Sequence, residues 1–156
     1  VIAIAISPAD SAKLFAGTYG EGVFRSSNSG GTWTVASTGL TTLPVSVLAI
    51  DPVTPSTLYA GAWSFFGGGI FKSIDSGAQW NPANTGLTGL YIGALAIDPV
   101  TPTTLYAATV ESGVYRSVDA GENWTGAHDG LGDHIVVTLA IADICAGQHI
   151  IADNPP

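Results

Sequence analysis

A chain of 156 residues can bury one sizeable core, and its 46% hydrophobic residues with 20 glycines describe a compact, turn-rich β protein rather than a disordered one. Charged residues are only 10% and the net charge is −8. With four cations, Lys13, Arg25, Lys72 and Arg116, the chain is excluded from binding a nucleic-acid backbone and is ill suited to docking on anionic membranes.

In chain order the sequence reads as three similar units and a partial fourth: 1–40, 41–88, 89–132 and 133–156. The first strand of each unit is Ala3-Ile4-Ala5-Ile6, then Val47-Leu48-Ala49-Ile50, then Ala94-Leu95-Ala96-Ile97. These runs are apolar at every position, which predicts strands buried on both faces. In the second unit the strands are predicted at 46–50, 57–62, 69–73 and 80–83. Pro52-Val53-Thr54-Pro55 breaks the chain between the first two, and Asp51 and Asp98, each before a proline, read as turn initiators. The third strands alternate. Phe24, Phe71 and Tyr115 point one way, and Arg25, Lys72 and Arg116 point the other.

Between the third and fourth strands lies the repeated frame Ser-x-Asp/Asn-x-Gly-x-x-Trp. It comprises Ser26, Asn28, Gly30 and Trp33, then Ser73, Asp75, Gly77 and Trp80, then Ser117, Asp119, Gly121 and Trp124. The Asp or Asn accepts backbone N–H bonds about two residues on, the Gly supplies a positive φ, and the Trp anchors the returning strand. The frame recurs at a spacing of about 45 residues, and no segment keeps a helical period. Four short strands at that period make the blade of a β-propeller, so the predicted fold is all-β, with four-stranded antiparallel blades numbering about three and a half.

With these motifs the chain resembles the Asp-box, or bacterial neuraminidase repeat, β-propeller families over residues 1–132. Sialidase-, xyloglucanase- and sortilin-like repeats and photosystem-assembly factors belong to them. The resemblance implies that the motif lies on the outer rim, away from axial sites. Asn28 departs from it by keeping the acceptor without the charge.

The fourth unit offers a first strand, Ile135-Val136-Val137-Thr138-Leu139-Ala140-Ile141, and a second, His149-Ile150-Ile151-Ala152, but neither a third strand nor a hairpin. A propeller needs about four or more blades to close. The open ends therefore call for a cover, either other copies of the chain or further blades of a longer one. The lack of any Met is read as a processed form or a fragment.

The chemistry-bearing residues point to no catalytic centre. Sialidase chemistry needs clustered arginines, whereas the basic residues recur one per unit as part of the blade. Glycosidase chemistry needs two carboxylates roughly 5 to 9.5 Å apart. The remaining acids (Glu21 and Glu111 among them) show no pairing. His128, Asp129, Asp133 and His134 match no ligand spacing and read as a solvated loop. No metal or other cofactor is expected, with calcium on loop carboxylates as the alternative. Cys145, the single cysteine, excludes an intrachain disulfide and reads as an inert thiol. Trp63, Phe65 and Phe66 form a candidate binding loop, for a glycan, for another subunit, or simply folded over its own blade. Asn123-Trp124-Thr125 fits a glycosylation pattern but coincides with the third hairpin.

The sequence thus points to a non-enzymatic, secreted or cell-surface repeat module that self-assembles into an oligomer or filament through its incomplete blades. Nucleic acid and membrane insertion are excluded. The alternative is a fragment of a carbohydrate-active, glycoside-hydrolase-like or glycan-binding Asp-box propeller.

Overall fold

A computed structural model describes residues 1–41, 44–63, 68–131 and 135–141. Every regular element among them is a strand, and the strands form three antiparallel four-stranded sheets. The first sheet is β1 (Ala3–Ile6), β2 (Leu14–Gly17), β3 (Val23–Ser26) and β4 (Thr34–Val35). The second is β5 (Val45–Ile50), β6 (Leu58–Ala62), β7 (Gly69–Ser73) and β8 (Asn81–Pro82). The third is β9 (Ile92–Ile97), β10 (Leu105–Thr109), β11 (Gly113–Ser117) and β12 (Thr125–Gly126). Each sheet runs in chain order, and β1, β5 and β9 lie next to one another at one edge, as the inner strands of successive blades must.

Alternation along each strand sends side chains to two different neighbours. Leu48, Ile50, Leu58, Ala60, Phe71 and Trp80 of the second blade meet Phe15, Val23, Ala36 and Leu40 of the first. Its other face, with Val47, Ala49, Tyr59, Ile70, Ala83 and Leu87, meets Leu95, Ile97, Leu105, Ala107, Tyr115 and Trp124 of the third. Each blade therefore has a leading face, turned toward the blade before it, and a trailing face.

Three expectations need correction. The first strands are not all buried on both faces, because Ile4 and Ile6 of β1 are exposed, with no blade packed on that side among the described residues. Residues 135–141 form no strand: the backbone of Val136 passes beside Gly93 of β9 without entering its ladder. The fourth strands are also shorter than the predicted 80–83, because Trp80 leaves the ladder to bury its ring. The predicted second strand of the partial blade, Cys145, Asp133 and His134 lie outside the described residues.

Candidate functional site

The hairpin motif is a closed hydrogen-bond circuit. In the second blade Ser73 Oγ donates to Asp75 Oδ1 at 2.8 Å and accepts the Gly77 N–H at 2.9 Å. Asp75 Oδ1 accepts the Gln79 N–H at 2.9 Å, so the bonded donor lies four residues on, not two. Ser117, Asp119, Gly121 and Asn123 repeat the circuit, as do Ser26, Asn28, Gly30 and Thr32. These bonds favour the charged acid. The Gln79 N–H, then Ser73, hold Asp75 below the ordinary carboxylate range. The Asn123 side chain and N–H, with Ser117, bring Asp119 down to about 2.

The glycines do take positive φ, 88° at Gly30, 79° at Gly77 and 85° at Gly121. The residue before each does so as well: Ser29 at 57°, Ser76 at 60° and Ala120 at 58°. Nothing about Ser or Ala announces that in the sequence. The turn aims the carbonyl of this residue at the preceding blade, where Tyr59 Oη donates to Ala120 O at 2.9 Å and Arg25 Nη1 reaches Ser76 O at 3.5 Å. Burial, then the charges of Asp51 and Glu122, push the Tyr59 hydroxyl pKa up, so it stays a proton donor. Lys72 extends the pattern with an ion pair to Glu122 at 2.9 Å.

The tryptophans fasten each hairpin to the blade before it. Trp80 donates its indole N–H to Ala36 O at 2.8 Å and its backbone N–H to Thr38 O at 2.9 Å. Trp124 does the same to Ala83 O at 2.9 Å and Thr85 O at 2.8 Å. Behind each acceptor sits a glycine, Gly39 or Gly86, where a Cβ would collide with the docked tryptophan's carbonyl oxygen. Trp80 and Trp124 are 1% and 3% exposed, whereas Trp33 is 39% exposed and has no acceptor among the described residues. Leading-face residues Ile4 (62% exposed) and Ile6 (57%) accompany it. Among the described residues the leading face of the first blade thus has no neighbour.

On the loop end, the aromatic residues form a row. Trp63 stacks on Tyr91 with centroids 4.8 Å apart and meets Tyr19 edge-on at 6.3 Å. Tyr19 and Trp63 leave the second strands of the first two sheets and Tyr91 precedes β9; sequence reading picked out Trp63 but missed both tyrosines, which no shared motif links to it. Phe65 and Phe66 lie outside the described residues. Among the described residues no three His, Cys, Asp or Glu side chains gather as a metal site. His128 instead points Nδ1 at Val114 O, 3.0 Å away, and packs edge-on against Tyr115. Asp51 and Asp98 cap their turns, each accepting two backbone N–H bonds at 2.8 to 3.0 Å.

No family model matches the sequence, and no curated protein does either. Solved structures similar in fold include the GH74 xyloglucanase from Xanthomonas campestris, at TM-score 0.68 and 22% identity over 80% of this chain and 20% of the enzyme. A nidogen/laminin complex matches at TM-score 0.63 and 18% identity, over 80% of this chain and 46% of the matched one. A structure of YCF48 bound to D1 peptide matches at TM-score 0.61 and 14% identity, over 80% and 39%. These likenesses establish propeller blades. This chain spans about a fifth of the xyloglucanase's length.

Proposed function

We propose that the chain is a non-enzymatic, extracellular Asp-box propeller module that works by protein association, its open blade faces covered by other copies or by further blades of a longer chain. The carrying observation is the contrast between Trp33, 39% exposed, and its counterparts Trp80 and Trp124, at 1% and 3%. An unmatched leading face bearing Trp33, Ile2, Ile4 and Ile6 is a large exposed apolar surface of the kind that marks an interaction site. Propellers of similar fold include one in a nidogen/laminin complex and one bound to a peptide, which supports a polypeptide partner. Low charge, an acidic balance and abundant Gly support an extracellular setting. The association requires no cofactor. Its outcome is a closed ring or, if the rotation does not close, a filament.

A second reading is favoured by the Tyr19–Trp63–Tyr91 row, since clustered aromatic rings, one exposed and two half-buried, suit sugar faces and the GH74 fold likeness comes from a xyloglucanase. On that reading the chain is part of a glycan-binding or carbohydrate-active propeller. Light scattering during size exclusion, with xyloglucan-oligosaccharide titrations of the wild type and Trp63→Ala, separates the two. Association predicts a mass above one chain and no Trp63-dependent sugar binding. A monomer that binds the sugar through Trp63 overturns it.

A further inference from the structure

The trailing face of the third blade carries an unfilled copy of the socket that holds Trp80 and Trp124. The acceptors for those tryptophans are Ala36 O with Thr38 O, and Ala83 O with Thr85 O. The matching positions after β12 are Ala127 and Asp129. The turn there is already set. Ala127 N donates to Val114 O at 2.8 Å, as Ala36 N and Ala83 N do to Val23 O and Ile70 O. Leu131 N donates to His128 O at 3.0 Å, as Leu40 N and Leu87 N do to Ser37 O and Asn84 O. Gly130 has φ 88°, against 88° and 92° at Gly39 and Gly86. Yet a Cβ on Gly130 would meet nothing within 4 Å, whereas one on either counterpart would strike a docked tryptophan. Ala127 is exposed where Ala36 is 5% exposed. The Tyr106 hydroxyl, counterpart of that of Tyr59, and the Arg116 guanidinium, counterpart of that of Arg25, make no hydrogen bond to another blade among the described residues.

The opposite end of the chain bears the matching plug, with the Trp33 indole N–H and the Ser29 carbonyl both without acceptor or donor from another blade among the described residues. Resting on the association reading above, we propose that the partner is a second copy of this chain, whose Trp33 hairpin docks in the Ala127–Gly130 socket. The Trp33 indole N–H then donates to Ala127 O and its backbone N–H to Asp129 O. Tyr106 Oη and Arg116 donate to Ser29 O, repeating the bonds that Tyr59 makes to Ala120 and Arg25 makes to Ser76. Two interfaces of this design already exist within the chain, so the third continues the stack with the same pitch. The contact is heterologous, since plug and socket lie on opposite faces, and so it propagates head to tail. The Val136 carbonyl of residues 135–141 passes near Gly93 at the inner end of this face, and the second copy's β1 displaces that segment from beside β9.

The test uses two substitutions that each disable one half. Trp33→Ala removes the plug. Gly130→Asn tolerates the positive φ but sets a side chain where the docked tryptophan's carbonyl must lie. Sedimentation velocity of the full chain across a concentration series is expected to show wild-type multimers. Each variant alone, with a wild-type circular dichroism spectrum, should associate roughly tenfold or more weakly, the loss expected for a buried aromatic anchor. An equimolar mixture of the two variants should form dimers and stop there, because each pair keeps one working plug and one working socket. Multimers unaffected by either substitution, or a mixture that stays monomeric or grows like wild type, overturn the Trp33 socket and leave the broader association reading standing. A wild-type chain that stays monomeric overturns both the socket and self-association, and leaves further blades of a longer chain as the cover.

Discussion

The first blade and the second carry closely similar leading-face residues, and the two faces lead different lives. Ile4 and Ile6 are exposed where Leu48 and Ile50 pack against a neighbour, and Trp33 is open where Trp80 is sealed. The local hairpin is nevertheless the same, with Ser26, Asn28 and Thr32 bonded as Ser73, Asp75 and Gln79 are. The motif therefore shapes the turn by itself, while the burial of its tryptophan depends on another blade. A repeat of this kind specifies an interface twice over, once as plug and once as socket, and any run of blades that does not close on itself leaves one of each unmatched.

The largest expected difference between the two blades is the cost of losing the ring. Trp80→Ala should cost about 3–5 kcal/mol, as other buried aromatic truncations do. Trp33→Ala, measured by urea unfolding of the dilute chain, should cost less than about 1 kcal/mol, because its ring is partly solvated and its N–H has no acceptor. Equal losses would break the comparison. Next come the socket glycines. Gly86→Ala combines a positive-φ strain with a collision at the Trp124 carbonyl, for about 2–4 kcal/mol in all. Gly130→Ala carries the strain alone, about 1 kcal/mol, and an equal cost at both sites would mean that the third socket is already filled.

A smaller effect separates the hairpins by pH. Asp75 and Asp119 have carboxyl groups held below their ordinary value of 3.8, that of Asp119 at about 2. Depressed carboxylates bind protons more readily when unfolded, so their contribution is complete above about pH 4 and is lost as pH falls toward 2. Asn28 already fills the first hairpin without a charge. The double variant Asp75→Asn with Asp119→Asn should therefore show a shallower fall in Tm between pH 4 and pH 2 than wild type. An unchanged slope would place the acid sensitivity elsewhere. The smallest effect concerns strain shared by all three hairpins: Ala120→Gly should gain about 0.5–1 kcal/mol by relieving the positive φ at that position, while keeping the carbonyl that Tyr59 uses.

Much of this was legible in the chain itself. The repeated frame, the proline-bounded turns after Asp51 and Asp98 and the alternation of Phe71 with Lys72 locate the sheets, because these signals are local and periodic. Which neighbour a side chain meets is not local. Leu48 and Ile4 look alike in sequence, and only the stacking order makes one buried and the other exposed. The row of Tyr19, Trp63 and Tyr91 was half hidden for the same reason, since its members sit in different units at different points of the repeat. The partial fourth unit shows the converse: residues 135–141 have a strand's composition, but a strand also needs a ladder to join.

The most direct test of the account is hydrogen exchange of the indole N–H groups in the dilute chain, followed by NMR. The account predicts slow exchange at Trp80 and Trp124, whose protons are held by Ala36 O and Ala83 O, and fast exchange at Trp33. Protection of Trp33 equal to the other two in the dilute monomer, or rapid exchange at all three, would contradict it.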